Sequence, residues 1–426
     1  MNTRVFSPSA RRASGAPAAL EGLRVLDFSR MLAGPFSTQQ LADLGAEIVK
    51  VETPVVGDDS RHYMTTGAGG EGAFYLSTNR NKKSIALDLK SVEGCRVARE
   101  LAKHCDIVVE NFSNGVMDKF GLGYEALAAL NPRLVYCSIS GYGRDDDSPV
   151  PRRGYDGMFQ AASGFMSMTG DAAGPAMRTT VPVIDLATAL NATSAILAAV
   201  IARERLGVGQ LVEIALIDVA MSLTSMYGTA ALISGEPFGR NANRSPQTAP
   251  SDVYDTADYP MFITCGNDRL FQRMMGDALQ RPDLAKDPAF ATNLSRVANE
   301  ARLTRTLKEI LASRPQAYWL ERLEAAGVPA APVNDLNQAF DSPDVKRREL
   351  IGSVPHPTAG EIPMIRSPFR MSVTPAVDPK APPLLGEQRD ELLRDVLQWS
   401  EADIDRSASA GAFGDPRAGA RAGGRV

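Results

Sequence analysis

Cysteine, histidine and tryptophan are scarce in this chain, and the first two scarcities each remove a class of chemistry. The four cysteines, Cys95, Cys105, Cys137 and Cys265, lie far apart and form no C-x-x-C pair. Only His62, His104 and His356 remain as further soft ligands, so no metal site is assigned. Four reduced thiols in a cytoplasmic protein is the reading. Three scattered histidines and the lack of a G-x-S-x-G elbow argue against a Ser-His-Asp triad.

Basic excess is missing as well. Lys and Arg number 46 against 50 Asp and Glu, a net charge of −4, which speaks against a nucleic-acid partner. No apolar run reaches the roughly 18 residues that a membrane span needs. The most apolar stretch, Ala195–Ala202, runs into Arg203-Glu204-Arg205 and reads as one buried helix, so no membrane partner is expected. Gly67-Ala68-Gly69-Gly70-Glu71-Gly72 is not set between a strand and a helix, and no Gly-Lys-Ser/Thr follows it. It reads as a surface loop rather than a phosphate cradle.

What is present is an ordinary globular composition, 44% hydrophobic and 23% charged over 426 residues, enough for about two to three domains. From Leu23 onward short apolar runs alternate with helical patterns. Arg24–Phe28, Glu47–Glu52, Ser84–Leu89, Asp106–Glu110 and Leu134–Ser140 read as strands. Pro35–Leu44, with proline in its first turn, and Val92–His104 read as helices. That alternation predicts an α/β fold with a parallel sheet.

The texture changes near Gly207. A strand is expected at Val212–Ile217, a helix at Val219–Ile233, a polar loop at Gly235–Pro250, short strands within Val253–Phe262, and helices from Asp268 to Gly327, which together suggest a second, smaller domain. After Pro332 the chain is proline-rich, with a last helix at Glu387–Leu397. Residues 1–19 have the composition of a disordered tail or an organelle transit peptide. Residues 407–426, mostly Gly, Ala and Arg, are expected to be disordered.

Two acidic positions stand out. Gly154-Tyr155-Asp156 precedes a segment, Met158–Met168, with helical spacing. Asp185 opens an apolar helix, Leu186–Arg205, where an aspartate is normally an N-cap accepting backbone N–H bonds. The same place would keep a carboxylate ionised, as a nucleophile requires. Spacing alone permits both roles.

In combination, these segments resemble the family III coenzyme A-transferases, whose members include formyl-CoA transferase, carnitine CoA-transferase and α-methylacyl-CoA racemase. The likeness rests on Leu23-Arg24-Val25-Leu26-Asp27-Phe28, Ala33-Gly34-Pro35, the run Leu41–Glu52, Asn79–Ser84, Val108–Phe112 and Gly141-Tyr142-Gly143. Gly154-Tyr155-Asp156, Asp185 and Arg203-Glu204-Arg205 continue it, and it covers the chain from about Leu20 to Leu397.

The resemblance implies a Rossmann-like large domain from residues 20–220 and 335–400, a smaller α+β domain at 221–334, and an interlocked homodimer. It puts the catalytic carboxylate at Asp185. Coenzyme A would be held as substrate by Leu32, Ala33, Leu87, Lys90, Asn111, Phe112, Ser113, Lys119, Arg153, Gly154, Tyr155 and Asp156, with no permanently bound cofactor. Asp185 would relay coenzyme A from an acyl-CoA donor, succinyl-CoA being the first choice, to a carboxylic acid through an aspartyl anhydride and an aspartyl-CoA thioester.

Arg30 and Leu32 replace residues found in formyl-CoA transferase and point away from that enzyme's substrate pair. An acyl-CoA racemase is the first rival, but racemases place histidine where Tyr155 stands. A non-catalytic CoA-binding protein is the second, and the presence of Asp185 counts against it.

Overall fold

The computed structural model describes residues 16–64, 69–144, 152 and 154–414. Arg153, Gly67 and Ala68 of the glycine-rich stretch, and the outer parts of both expected tails lie outside the described residues.

The organising element is a six-stranded, all-parallel sheet of β1 (Arg24–Asp27), β2 (Glu47–Glu52), β3 (Lys82–Ala86), β4 (Ile107–Glu110), β5 (Val135–Ser140) and β6 (Gln210–Ala215). Its order is β3-β2-β1-β4-β5-β6, that of a doubly wound, Rossmann-like fold. The strands are short apolar runs because both faces are covered. Side chains alternate between two cores. Leu26, Val49, Val108 and Tyr136 face one, while Val25, Ile48, Ile107 and Val135 face the other.

The first core is roofed by the helix Val92–Lys103, capped by Ser91, whose hydroxyl accepts from Gly94 N at 2.9 Å. The second is roofed by the helices Ala33–Asp43 and Val183–Leu206, where the Ser37 and Thr193 hydroxyls meet at 3.1 Å. The helix Val183–Leu206 is, by length and composition, apolar enough to cross a membrane, which the residue-by-residue count did not anticipate. Its buried face, Ile184, Ala192 and Ile196 among others, packs into the sheet core.

The chain divides into two compact units. One comprises residues 1–163, 180–226 and 344–426, and the other 164–179 and 227–343. Residues 164–179, expected in the large domain, therefore group with the smaller unit. That unit contains a three-stranded antiparallel sheet of β7 (Ser251–Tyr254), β8 (Met261–Thr264) and β9 (Ala330–Pro332). The amphipathic helices Glu300–Leu311 and Gln316–Ala325 share its core through Leu303, Leu307, Leu311 and Trp319.

Three local expectations are corrected. The helix expected at Val219–Ile233 is two, Leu216–Leu223 and Ser225–Ser234, bent by 71° at Thr224. The helix expected at Met158–Met168 ends at Ala162, because Gly164 adopts φ +82°. The expected disorder of 407–426 does not extend over its first part. The helix Glu401–Ser409 has a reciprocal cap between Ser400 and Asp403, and Ile404 and Ala412 fill the first core. Ala412 O accepts Asp88 N at 2.8 Å, fixing this segment to the loop after β3. All four cysteines are buried free thiols.

Candidate active site

In a doubly wound sheet the ligand crevice opens at the carboxyl ends of the strands, where strand order reverses. Here the reversal falls at β1, flanked by β2 and β4. Leu32 and Ala33 follow β1, Leu87 and Lys90 follow β3, and Asn111, Phe112 and Ser113 follow β4. The fold thus brings together at one sheet edge residues separated by up to 81 positions in the Arg30–Asn111 pair.

The loop after β1 is held from below by a buried chain of charges. Lys50 on β2 contacts Asp58 at 2.9 Å and donates to Ser29 O at 2.8 Å. Asp58 accepts the Met31 amide at 3.1 Å, and Met31 adopts φ +67°. Asp27 receives Lys82 at 3.1 Å and the Thr38 hydroxyl at 2.6 Å. Burial pushes the carboxyls of Asp27 and Asp58 up, but Lys82 and Lys50 outweigh it and hold both below the usual carboxylate range. The sequence reading gave these residues no supporting role. Alternation in the Glu47–Glu52 run, which would put Lys50 on a covered face, was the one available signal.

Asn111 acts as a clamp on the same loop. Its amide accepts Arg30 N at 2.9 Å and donates to Arg30 O at 2.8 Å. The Arg30 guanidinium lies 5.0 Å from the centre of the Phe112 ring. Phe112 N donates to Glu110 at 2.9 Å, and Ser138 donates to the other Glu110 oxygen. Burial pushes the Glu110 carboxyl up. Leu32, Ala33 and Leu87 are buried, whereas Lys90, Ser113 and Lys119 are exposed.

The second group of sequence-predicted residues is carried by the helix Asp156–Ala162. Phe159 anchors it, packing 5.1 Å from the Tyr142 ring, two residues past β5. Gly154 must be glycine, since a Cβ there would stand 2.4 Å from the Phe159 ring. Tyr155 is 70% exposed, whereas Asp156 is buried with both oxygens engaged inside the protein. Gln160 donates to Oδ1, and the backbone N–H groups of Ile184 and Asp185 donate to Oδ2 at 2.7 and 3.2 Å.

Asp185 is therefore not the N-cap that its spacing suggested. The helix begins at Val183 with Pro182 in the capping position, and Asp156 satisfies the first amides from another element. Asp185 sits in the first turn, partly exposed. Burial, and secondarily the charge of Asp156, push its carboxyl up to about 7. Such a group ionises near neutrality and is a stronger nucleophile than an ordinary surface aspartate.

Comparison with known proteins gives one consistent result. The sequence matches CoA-transferase family III over residues 20–389. It is 37% identical over 398 residues to the human succinyl-CoA:glutarate CoA-transferase, covering 92% of this chain and 89% of that protein. It is 38% identical over 383 residues to a succinate–glutarate CoA-transferase of Agrobacterium fabrum, covering 88% and 95%. A crystal structure of a CaiB/BaiF family protein from Brucella suis superposes with a TM-score of 0.80 at 35% identity, covering 89% of this chain and all of that one.

Proposed function

The chain belongs to CoA-transferase family III, and we propose that it moves coenzyme A from succinyl-CoA to a dicarboxylic acid of about glutarate's size through the carboxylate of Asp185. The observation that carries this is the partly exposed Asp185 carboxyl, raised towards neutrality in the first turn of the helix Val183–Leu206. The substrate pair rests on the names of the human and Agrobacterium relatives.

The steps follow from a carboxylate meeting a thioester. An Asp185 oxygen attacks the acyl carbon, the C–S bond breaks, and the coenzyme leaves as thiolate with the bonding pair. The resulting mixed anhydride is attacked by that thiolate at the Asp185 carbonyl. The donor acid departs as a carboxylate, and Asp185 becomes a thioester of coenzyme A. The acceptor carboxylate runs the two steps in reverse. Each step exchanges one activated acyl group for another, so no phosphoryl donor is required.

Coenzyme A takes part as substrate. Leu32, Ala33, Leu87, Asn111, Phe112 and Tyr155 would line its path, and Lys90, Lys119 and Arg153 would meet its phosphates. The exposed apolar residues Leu190, Ile201, Leu232 and Ile233 support a homodimer in which a second copy covers them.

The test is a matrix of acyl-CoA donors and acid acceptors, read by mass spectrometry of the thioester products, with hydroxylamine trapping of the protein. Succinyl-CoA with glutarate should give glutaryl-CoA, and the tag should map to Asp185. D185N and D185A should retain coenzyme binding while turnover falls below roughly one thousandth of the wild-type rate. Undiminished turnover in either variant would remove the mechanism.

A further inference from the structure

The amides that open the helix Val183–Leu206 do not serve the carboxylate next to them. Both point at Asp156, at 2.7 Å from Ile184 and 3.2 Å from Asp185. Asp156 is 7% exposed, and its other oxygen is taken by Gln160. Both oxygens of this 7%-exposed side chain are thus turned to groups inside the protein, which sets a positioning role beside the coenzyme contact that the family resemblance implies.

Resting on the relay through Asp185, we propose that Asp156 is a positioning residue that keeps Asp185 reactive. It occupies the helix-opening N–H groups that would otherwise stabilise the Asp185 anion, and it holds a second negative charge beside that anion.

The electrostatics have a direction. A carboxylate in the first turn of a helix is ordinarily stabilised by the partial positive charge there. Here that charge is spent on Asp156, and the two carboxylates repel. Among the described residues, Asp156 is the charged group that acts on Asp185, while Gln160 and the intervening backbone are neutral.

Repulsion is felt only while Asp185 is a free anion. When its oxygen bonds to the acyl carbon, the negative charge leaves with the thiolate. When the thiolate returns to the Asp185 carbonyl, the charge departs on the released acid. Asp185 is neutral in both the anhydride and the thioester, so Asp156 raises the free carboxylate relative to both covalent states. It favours acylation in the same way for every acid handled.

The decisive variant is D156N, which keeps an oxygen for the two amides and lets Gln160 turn its own amide to match. The measurement is kcat/KM for acyl-CoA against pH, with hydroxylamine tagging of Asp185 in parallel. In the wild type the rate should rise with pH through about 7, as Asp185 ionises. In D156N that limb should move down by about one pH unit or more. The tag should persist, and KM at pH 8 should stay within about twofold of wild type.

A limb that does not move while the tag persists overturns the proposal and leaves the relay standing. So does a tenfold rise in KM with the limb in place, which would make Asp156 a coenzyme contact. Absence of the tag from the wild-type protein would instead sink the relay itself. If D156N does not fold, the wild-type profile can still overturn the proposal. A limb at or below about pH 5, in the ordinary carboxylate range, overturns the proposal.

Discussion

Asp185 should weaken the fold that carries it. Its folded carboxyl titrates near 7 against an ordinary value of 3.8. Between those values the folded chain holds a proton that the unfolded chain has released. The stability this contributes is complete below about pH 4 and is lost as pH rises through 7. At pH 8 the anion sits half-buried beside Asp156 with no compensating partner among the described residues. D185N should therefore be more stable than wild type by roughly 2–4 kcal/mol at pH 8, with partial exposure trimming the gain, and by almost nothing at pH 4. Urea unfolding at the two pH values checks this, and a variant equally or less stable at pH 8 would contradict it. The sequence held half of this information. Asp185 and Asp156 were both legible as candidates, but spacing along one helix cannot reveal that residue 156 supplies the cap for residue 185. Pairing across 29 positions depends on where the Phe159 anchor sets the intervening helix.

Beneath the β1 loop, the strands carry charges where a parallel sheet would normally hold only aliphatic side chains. Lys50, Asp58, Asp27 and Lys82 are all fully enclosed. Breaking such a set on one side leaves an uncompensated buried ion. K50M should lose about 3–5 kcal/mol, and K50M/D58N should recover a large part of that loss. Guanidinium unfolding of the wild type, K50M, D58N and the double variant would test it, and additive losses would show that the two side chains do not act as a pair. The strands themselves were legible to within three residues, and best for β1, β2, β4 and β5, which are almost wholly buried and so read as short, mostly apolar runs. Their charged supports were not, because a lysine in a strand sequence looks the same whether it faces solvent or a buried aspartate. The misread helices share another cause. Gly164 and Thr224 end helical spacing without any change in hydrophobic pattern.

At the scale of the molecule, the interlocked homodimer that the family resemblance implies makes a prediction that ordinary dimers do not. Two threaded protomers cannot separate without unfolding. Sedimentation velocity should give a dimer whose mass is unchanged on dilution to nanomolar concentration, and a monomer appearing at low concentration would rule out threading. The α/β class was readable from strand–helix alternation, and the family likeness assigned residues 335–400 to the large domain. The docking of residues 407–414 was not readable. A stretch mostly of Ser, Ala and Gly has little to bury, yet Ala412 is enclosed in the first core and Phe413 packs against it.

That docking also has a consequence in time. Leu392, Leu393, Val396, Ile404 and Ala412 complete a core whose other members lie between Leu26 and Tyr136. A ribosome delivers those partners last, after all of the smaller unit. For most of its synthesis the chain therefore carries one sheet face covered only in part, by the helix Val92–Lys103 and its neighbours, and the interval before its closing residues emerge is when chaperone capture or aggregation competes most directly with folding.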